Sequence, residues 1–313
     1  MNMNKRFFGI VTTLFLGTVL VSCSETEESN PFEEQIKGDF SPKEIVISKI
    51  SDSRTITESW ENIRRDNENR ITGYEYSFKM RGDIDQVESR NCTLDYYKDF
   101  NKNERIRNNT IVEYTKKVED ITEKYTEEVL ENVTINTNGY ISKIETVTDH
   151  YANNSTAAVT TTSERTFSYN GDLCTGSTYN DENYKITYKY KWDGYQLKNI
   201  TILKENKKDG NVEYNTYAYT FDKKEIYPYT GTSLMPFVQS GIPQIYASMG
   251  YLGKCTPYVL LEESQSGYTK FGDMTSDNIK IHNYFNLEGD PTMKMSYTAL
   301  SNIYNSYSIT FSK

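Results

Sequence analysis

Cys23 is the residue whose chemistry this sequence defines best. It closes the tetrad Leu20-Val21-Ser22-Cys23, an aliphatic residue and a small one leading to a thiol. A thiol in that setting is the nucleophile that accepts a diacylglyceryl group, and small neighbours let a peptidase reach the bond before it. Lys5 and Arg6 supply a basic start, and an apolar run of about fifteen residues follows from Phe7 to Val21. That length suits a secretory signal and is too short for a spanning helix. Cys23 is therefore expected to be lipidated after removal of residues 1–22, which makes the bilayer the first partner.

The remaining reactive residues form no familiar constellation. Cys92, Cys174 and Cys255 cannot all pair with one another, and none sits in a Cys-x-x-Cys motif. They read as buried thiols, or as one disulfide and a spare. His150 and His282 have no metal-ligand company at short spacing and read as surface or turn residues. There is no Gly-x-Ser-x-Gly elbow and no phosphate- or dinucleotide-binding glycine loop. The carboxylates Glu127, Glu128 and Glu131, Asp181 and Glu182, and Glu262 and Glu263 read first as solvated faces. A glycosidase would need two of them facing each other across a sugar. No catalytic, metal or cofactor residue is assigned.

Tyrosine is the unusual resource, with 27 residues. It offers a face for stacking and a hydroxyl for hydrogen bonding, and it is also a good strand former. Tyr96 with Tyr97 and Tyr227 with Tyr229 are the pairs with the most to offer a ligand.

These side chains need a scaffold, and the patterning predicts strands. From Tyr184 to Trp192, aromatic and aliphatic residues alternate with Lys and Thr, so Tyr188 and Tyr190 should face inward and Lys185, Lys189 and Lys191 outward. Tyr217, Tyr219 and Phe221 repeat the alternation, as do Met293, Met295 and Tyr297, and Tyr307, Ile309 and Phe311. Between Ile111 and Ile135 the apolar spacing suits helix and strand alike, and the Thr and Tyr content favours strands. Asn138-Gly139, Asn170-Gly171 and Asp193-Gly194 sit between extended runs as tight-hairpin turns, and Glu68-Asn69-Arg70-Ile71 is a degenerate copy. Successive hairpins make an antiparallel meander, either a closed or nearly closed barrel or a curved sheet. A different stretch, near 232–250, reads as a short helix with Ile242, Ile245, Tyr246 and Met249 on one face, placed to plug an open end.

Residues 23–42 read as a tether, acidic through Glu25, Glu27 and Glu28 and broken by Pro31, which leaves 43–313 as one β-rich domain. Acid directly after a lipidated cysteine resembles the export signal of surface-exposed lipoproteins. The net charge of −9 argues against nucleic acid as a partner.

The tetrad, the acidic tether, the Asn-Gly and Asp-Gly meander and an insert from Tyr227-Pro228-Tyr229 to Leu252-Gly253-Lys254 occur here in one order. Together they resemble a family of uncharacterised lipoproteins from gut-type Gram-negative bacteria with a porin-like β fold. Over 43–313 the resemblance implies a meander with a short helical element, and it implies no catalytic or binding residue. The expectation is a lipid-anchored protein of the outer membrane, exposed at the cell surface, that binds a glycan or protein ligand without catalysis. The alternatives are an assembly partner of an outer-membrane complex and a hydrolase with an unrecognised carboxylate site.

Overall fold

The computed structural model describes residues 44–50, 54–226 (apart from 83, 119–120, 153–154 and 156), 246–268 (apart from 248, 255 and 257), 274–285, 293–299 and 306–312. Cys23, the tether, Tyr227, Tyr229, Cys255 and the side chain of His282 lie outside the described residues.

Among the described residues, sixteen strands carry the fold. The first eight are β1 (Glu44–Ile50), β2 (Arg54–Arg65), β3 (Ile71–Gly82), β4 (Asp85–Lys98), β5 (Glu104–Val118), β6 (Ile121–Ile135), β7 (Ile141–Ala152) and β8 (Val159–Asn170). The rest are β9 (Leu173–Asn180), β10 (Tyr184–Asp193), β11 (Gln196–Asn206), β12 (Val212–Ile226), β13 (Tyr258–Tyr268), β14 (Met274–Phe285), β15 (Met293–Ala299) and β16 (Ser306–Ser312). Each pairs antiparallel with the next, and β1 pairs β16 from Glu44↔Ser312 to Ile50↔Ser306, which closes the barrel. The stretch from Ile111 to Ile135 is thus two strands.

The turns explain why the meander folds where it does. Gly139, Gly171 and Gly194 all have positive φ, the conformation that tight hairpins demand and other residues resist. Asn69 takes that role in the degenerate turn at φ 62. Asn136 helps hold its own turn, its side-chain oxygen accepting from the Asn138 and Tyr140 amides.

Residues opposite one another across a ladder share a face, so the register sorts the wall into two surfaces. The inner one holds Trp60, Tyr74, Cys92, Leu94, Ile106, Val133, Ile144, Phe167, Tyr188 and Ile200, all buried. The outer one is wet: Glu75, Lys79, Asp95, Arg107, Glu113, Glu128, Lys185, Lys189 and Lys191 are exposed. A lipid-facing wall has the reverse pattern, because an Arg or Lys at the bilayer midplane costs about 2–4 kcal/mol. Among the described residues, the outer face of β3 to β10 carries these charges along its length.

Sixteen strands enclose more space than wall side chains can fill. At one end, the described residues of the connection between β12 and β13 pack inside the wall. Its described part ends a helix at Tyr246 and Ala247 in a Schellman motif: the Tyr251 amide donates to the Tyr246 carbonyl, the Gly250 amide donates to the Ala247 carbonyl, and Gly250 has φ 76. Of the stretch near 232–250 read as a short helix, Tyr246 and Ala247 are helical and Gly250 lies past them, while 232–245 lie outside the described residues. From there the chain crosses the hairpin turns. The Ile141 amide donates to the Tyr251 carbonyl, the Lys254 amide to the Asp172 carbonyl, and the Leu197 amide to Thr256 Oγ1. Tyr246, Ala247 and Leu252 are buried within the apolar cluster of the wall. The segment closes the end of the barrel at which β1 starts and β16 stops. Cys92 and Cys174 are buried free thiols in the same cluster, and burial pushes Cys174 up to about 12.

Candidate ligand-binding mouth

At the opposite end the inward-facing side chains change character. Two neighbouring rows cross the wall there, the outer one from β2 to β6 and the deeper one from β2 to β7. The outer row runs Glu58, Phe78, Glu88, Tyr114 and Tyr125, each opposite the next. The row one step deeper runs Trp60, Tyr76, Arg90, Val112, Glu127 and His150. Strand alternation alone puts them together, because each residue is two from its row neighbour on the same strand.

Within these rows the contacts are specific. Tyr114 and Tyr125 stack with ring centroids 4.2 Å apart and planes at 19°. His150 leans on Tyr125 at 4.6 Å, and its Nδ1 lies 3.2 Å from Glu127 Oε1. Arg90 donates through Nε to Glu88 and sits over the Tyr76 ring at 5.3 Å. Tyr76 donates its hydroxyl proton to Glu58 at 3.1 Å. Burial, then the neighbouring Tyr114, Glu127 and Glu88, pushes the Tyr125 hydroxyl up to about 12. Tyr125 therefore stays a neutral donor at ordinary pH. Further round the wall, Arg165 covers Tyr179 and Tyr188 at 5.4 and 5.0 Å. Lys204 lies over Tyr184 at 4.6 Å and 3.6 Å from Glu213.

The mouth has a floor and a rim. Deeper along the same strands, Asn108 and Glu131 meet Tyr246 of the plug: Asn108 Nδ2 donates to Glu131 Oε2 at 2.8 Å, and Tyr246 donates to the same oxygen at 2.7 Å. Beyond the tyrosine stack, Val118 and Ile121 continue the inner face of β5 and β6 past the end of β7, and Ile121 is 68% exposed. Val159, opposite His150, is 65% exposed.

The sequence-predicted candidates are dispersed accordingly. His150 is no turn residue; it stands in β7 and faces the lumen. Glu127 and Glu131 point inward while Glu128 points out, as strand alternation requires. Glu263 is buried and Glu262 faces outward, and Asp181 and Glu182 occupy the turn before β10. Tyr96 and Tyr97 do not cooperate, because adjacent strand residues face opposite ways. Tyr96 lies under the plug, its hydroxyl donating to the Ile71 carbonyl, and Tyr97 packs outside beneath Arg107. Tyr114 and Tyr125 are a pair that alternation alone does not mark, and the hairpin over 111–135 places them opposite one another. Among the described residues no group of three or more His, Cys, Asp or Glu is placed to hold a metal ion.

No protein-family model matches the chain, and no curated relative matches it. Among solved structures, it is similar to a porin-like protein from Bacteroides uniformis, with a TM-score of 0.48 and 14% identity. That match covers 87% of this chain and 97% of the other.

Proposed function

We propose that this chain is a lipid-anchored protein of the outer membrane that binds a glycan or protein ligand at the open mouth of its barrel, without catalysis. The observation that supports this most is the accessible array of Tyr114, Tyr125, His150 and Glu127 at one end of a barrel plugged at the other. Pre-stacked tyrosines beside charged groups suit recognition, because aromatic faces and hydrogen-bonding edges are already ordered. The carboxylates here have partners of their own: Glu58 with Tyr76, Glu88 with Arg90, Glu127 with His150. That favours a binding surface over a hydrolase, which needs two carboxyl groups turned toward one substrate.

The anchor fits the same reading. β1 starts at the plugged end, so lipid on Cys23 would hold that end toward the bilayer and leave the mouth facing away. Glu25, Glu27 and Glu28 in the tether would then serve export to the cell surface. Exposed Ile121 and Val159 at the rim favour a second reading, an assembly partner that docks on the mouth.

Glycan arrays and envelope pull-downs with the 43–313 fragment test the proposal, run beside a Tyr114→Ser, Tyr125→Ser double variant. A ligand held by the wild type and lost by the folded variant supports it. Ligands retained equally by both would move the site elsewhere.

A further inference from the structure

The chemistry of the mouth narrows the ligand, and the narrowing rests on the mouth being the binding site. Charged groups on this wall already hold partners: Glu88 takes Arg90, Glu127 lies 3.2 Å from His150 Nδ1, Glu58 accepts from the Tyr76 hydroxyl, and Lys204 lies 3.6 Å from Glu213. A charged ligand would have to displace these partners before it met an opposite charge. What such pairs present is acceptors and donors side by side. The groups that complement both are hydroxyls, which donate and accept at once.

The stack supplies the other half. Glu88 lies directly opposite Tyr114, and Glu127 is two residues along β6 from Tyr125. The stack, with His150 against Tyr125, therefore sits within about 4.5–8 Å of both pairs, the spacing of direct and diagonal neighbours in a sheet. Polar edges around an apolar face match a ring with C–H groups on its face and hydroxyls at its rim. The second row lies deeper along the same strands than the stack, in the direction of Tyr246, so an extended ligand chain aligned with the strands would meet both rows.

We infer that the ligand is a neutral oligosaccharide, packed on the Tyr114–Tyr125 platform with its hydroxyls shared between the Glu88–Arg90 and Glu127–His150 pairs.

Calorimetric titration of the lipidated protein in detergent tests this. The neutral probes are hexasaccharides of β-1,4-linked glucose, xylose and mannose and of α-1,4-linked glucose. Hexagalacturonate and hexalysine are the charged ones. At least one neutral hexasaccharide should bind, and Tyr114→Ala and Glu127→Gln should each weaken it roughly tenfold or more. Phe100→Ala, at a fully exposed turn of the plugged end, should leave binding unchanged. If Tyr114→Ala unfolds, Glu127→Gln decides. Absence of binding by every neutral hexasaccharide would overturn the inference. Binding of a charged probe alone, weakened by the same variants, would overturn it too while keeping the mouth as the site. A neutral sugar bound equally by all variants would remove the mouth itself.

Discussion

Tyr246 of the plug and Glu131 of the wall, 115 residues apart in sequence, share a hydrogen bond of 2.7 Å. The tyrosine is fully buried, and Asn108 completes the cluster from the neighbouring strand. Burial, then the charge of Glu131, raises the Tyr246 hydroxyl well above its ordinary value, so it remains a donor.

That bond locks the plug to the barrel, and its loss should be measurable. A hydrogen bond to a charged group contributes about 1.5–3 kcal/mol, so Tyr246→Phe should cost that much in urea unfolding. Glu131→Gln should cost less in the Tyr246→Phe background than in wild type, because the two residues share one interaction. Additive losses would mean that they act independently.

The two faces of the wall should differ sharply in their tolerance. Ile200 is inward and fully buried, and Ile200→Ala should cost about 2–5 kcal/mol through lost transfer energy and the cavity left behind. Lys189, outward on the adjacent strand, should change stability by less than about 0.5 kcal/mol on truncation to Ala. Thermal unfolding of both variants checks the assignment, and similar losses would contradict it.

Acid should loosen the plug. Lys254 of the plug lies 3.0 Å from Asp172 in the β8–β9 turn; that ion pair, then a hydrogen bond from Tyr140, lowers the Asp172 carboxyl below its ordinary 3.8. A depressed folded-state value gives stability that is present above the unfolded value, near ~3.9, and lost as pH falls through the folded one. Because Asp172 is half exposed, the contribution is small, under about 1 kcal/mol. Asp172→Asn should thus be slightly less stable than wild type at pH 7, with the gap closing below pH ~4. A gap that persists at pH 2, or widens there, would show that the pair does not act through this charge.

Much of the wall was legible because its signals are local. Strict alternation in Tyr184–Trp192 sets Tyr188 and Tyr190 inward and the three lysines outward, and the glycine turns mark hairpin ends. The stretch from Ile111 to Ile135 was ambiguous for a physical reason. Tyr114 and Val118 are four apart, as are Ile121, Tyr125 and Val129. A step of four suits one helical turn and is also twice the strand period. The mouth was hidden for another reason. Its rows draw single residues from six strands, so Glu88, Tyr114, Glu127 and His150 become neighbours only once register is known. His150 carried no local signal at all, since its partners Tyr125 and Glu127 are more than twenty residues away.

The mouth, and not the outer wall, is expected to meet the ligand. A photoreactive benzoylphenylalanine in place of Tyr125 in the mouth, or in place of Lys189 on the outer wall, tests it in intact cells. After irradiation, the Tyr125 position should yield a discrete adduct, competed away by the ligand that the screens identify, and the Lys189 position should yield none. Adducts from Lys189 with none from Tyr125 would place the ligand on the outer wall instead.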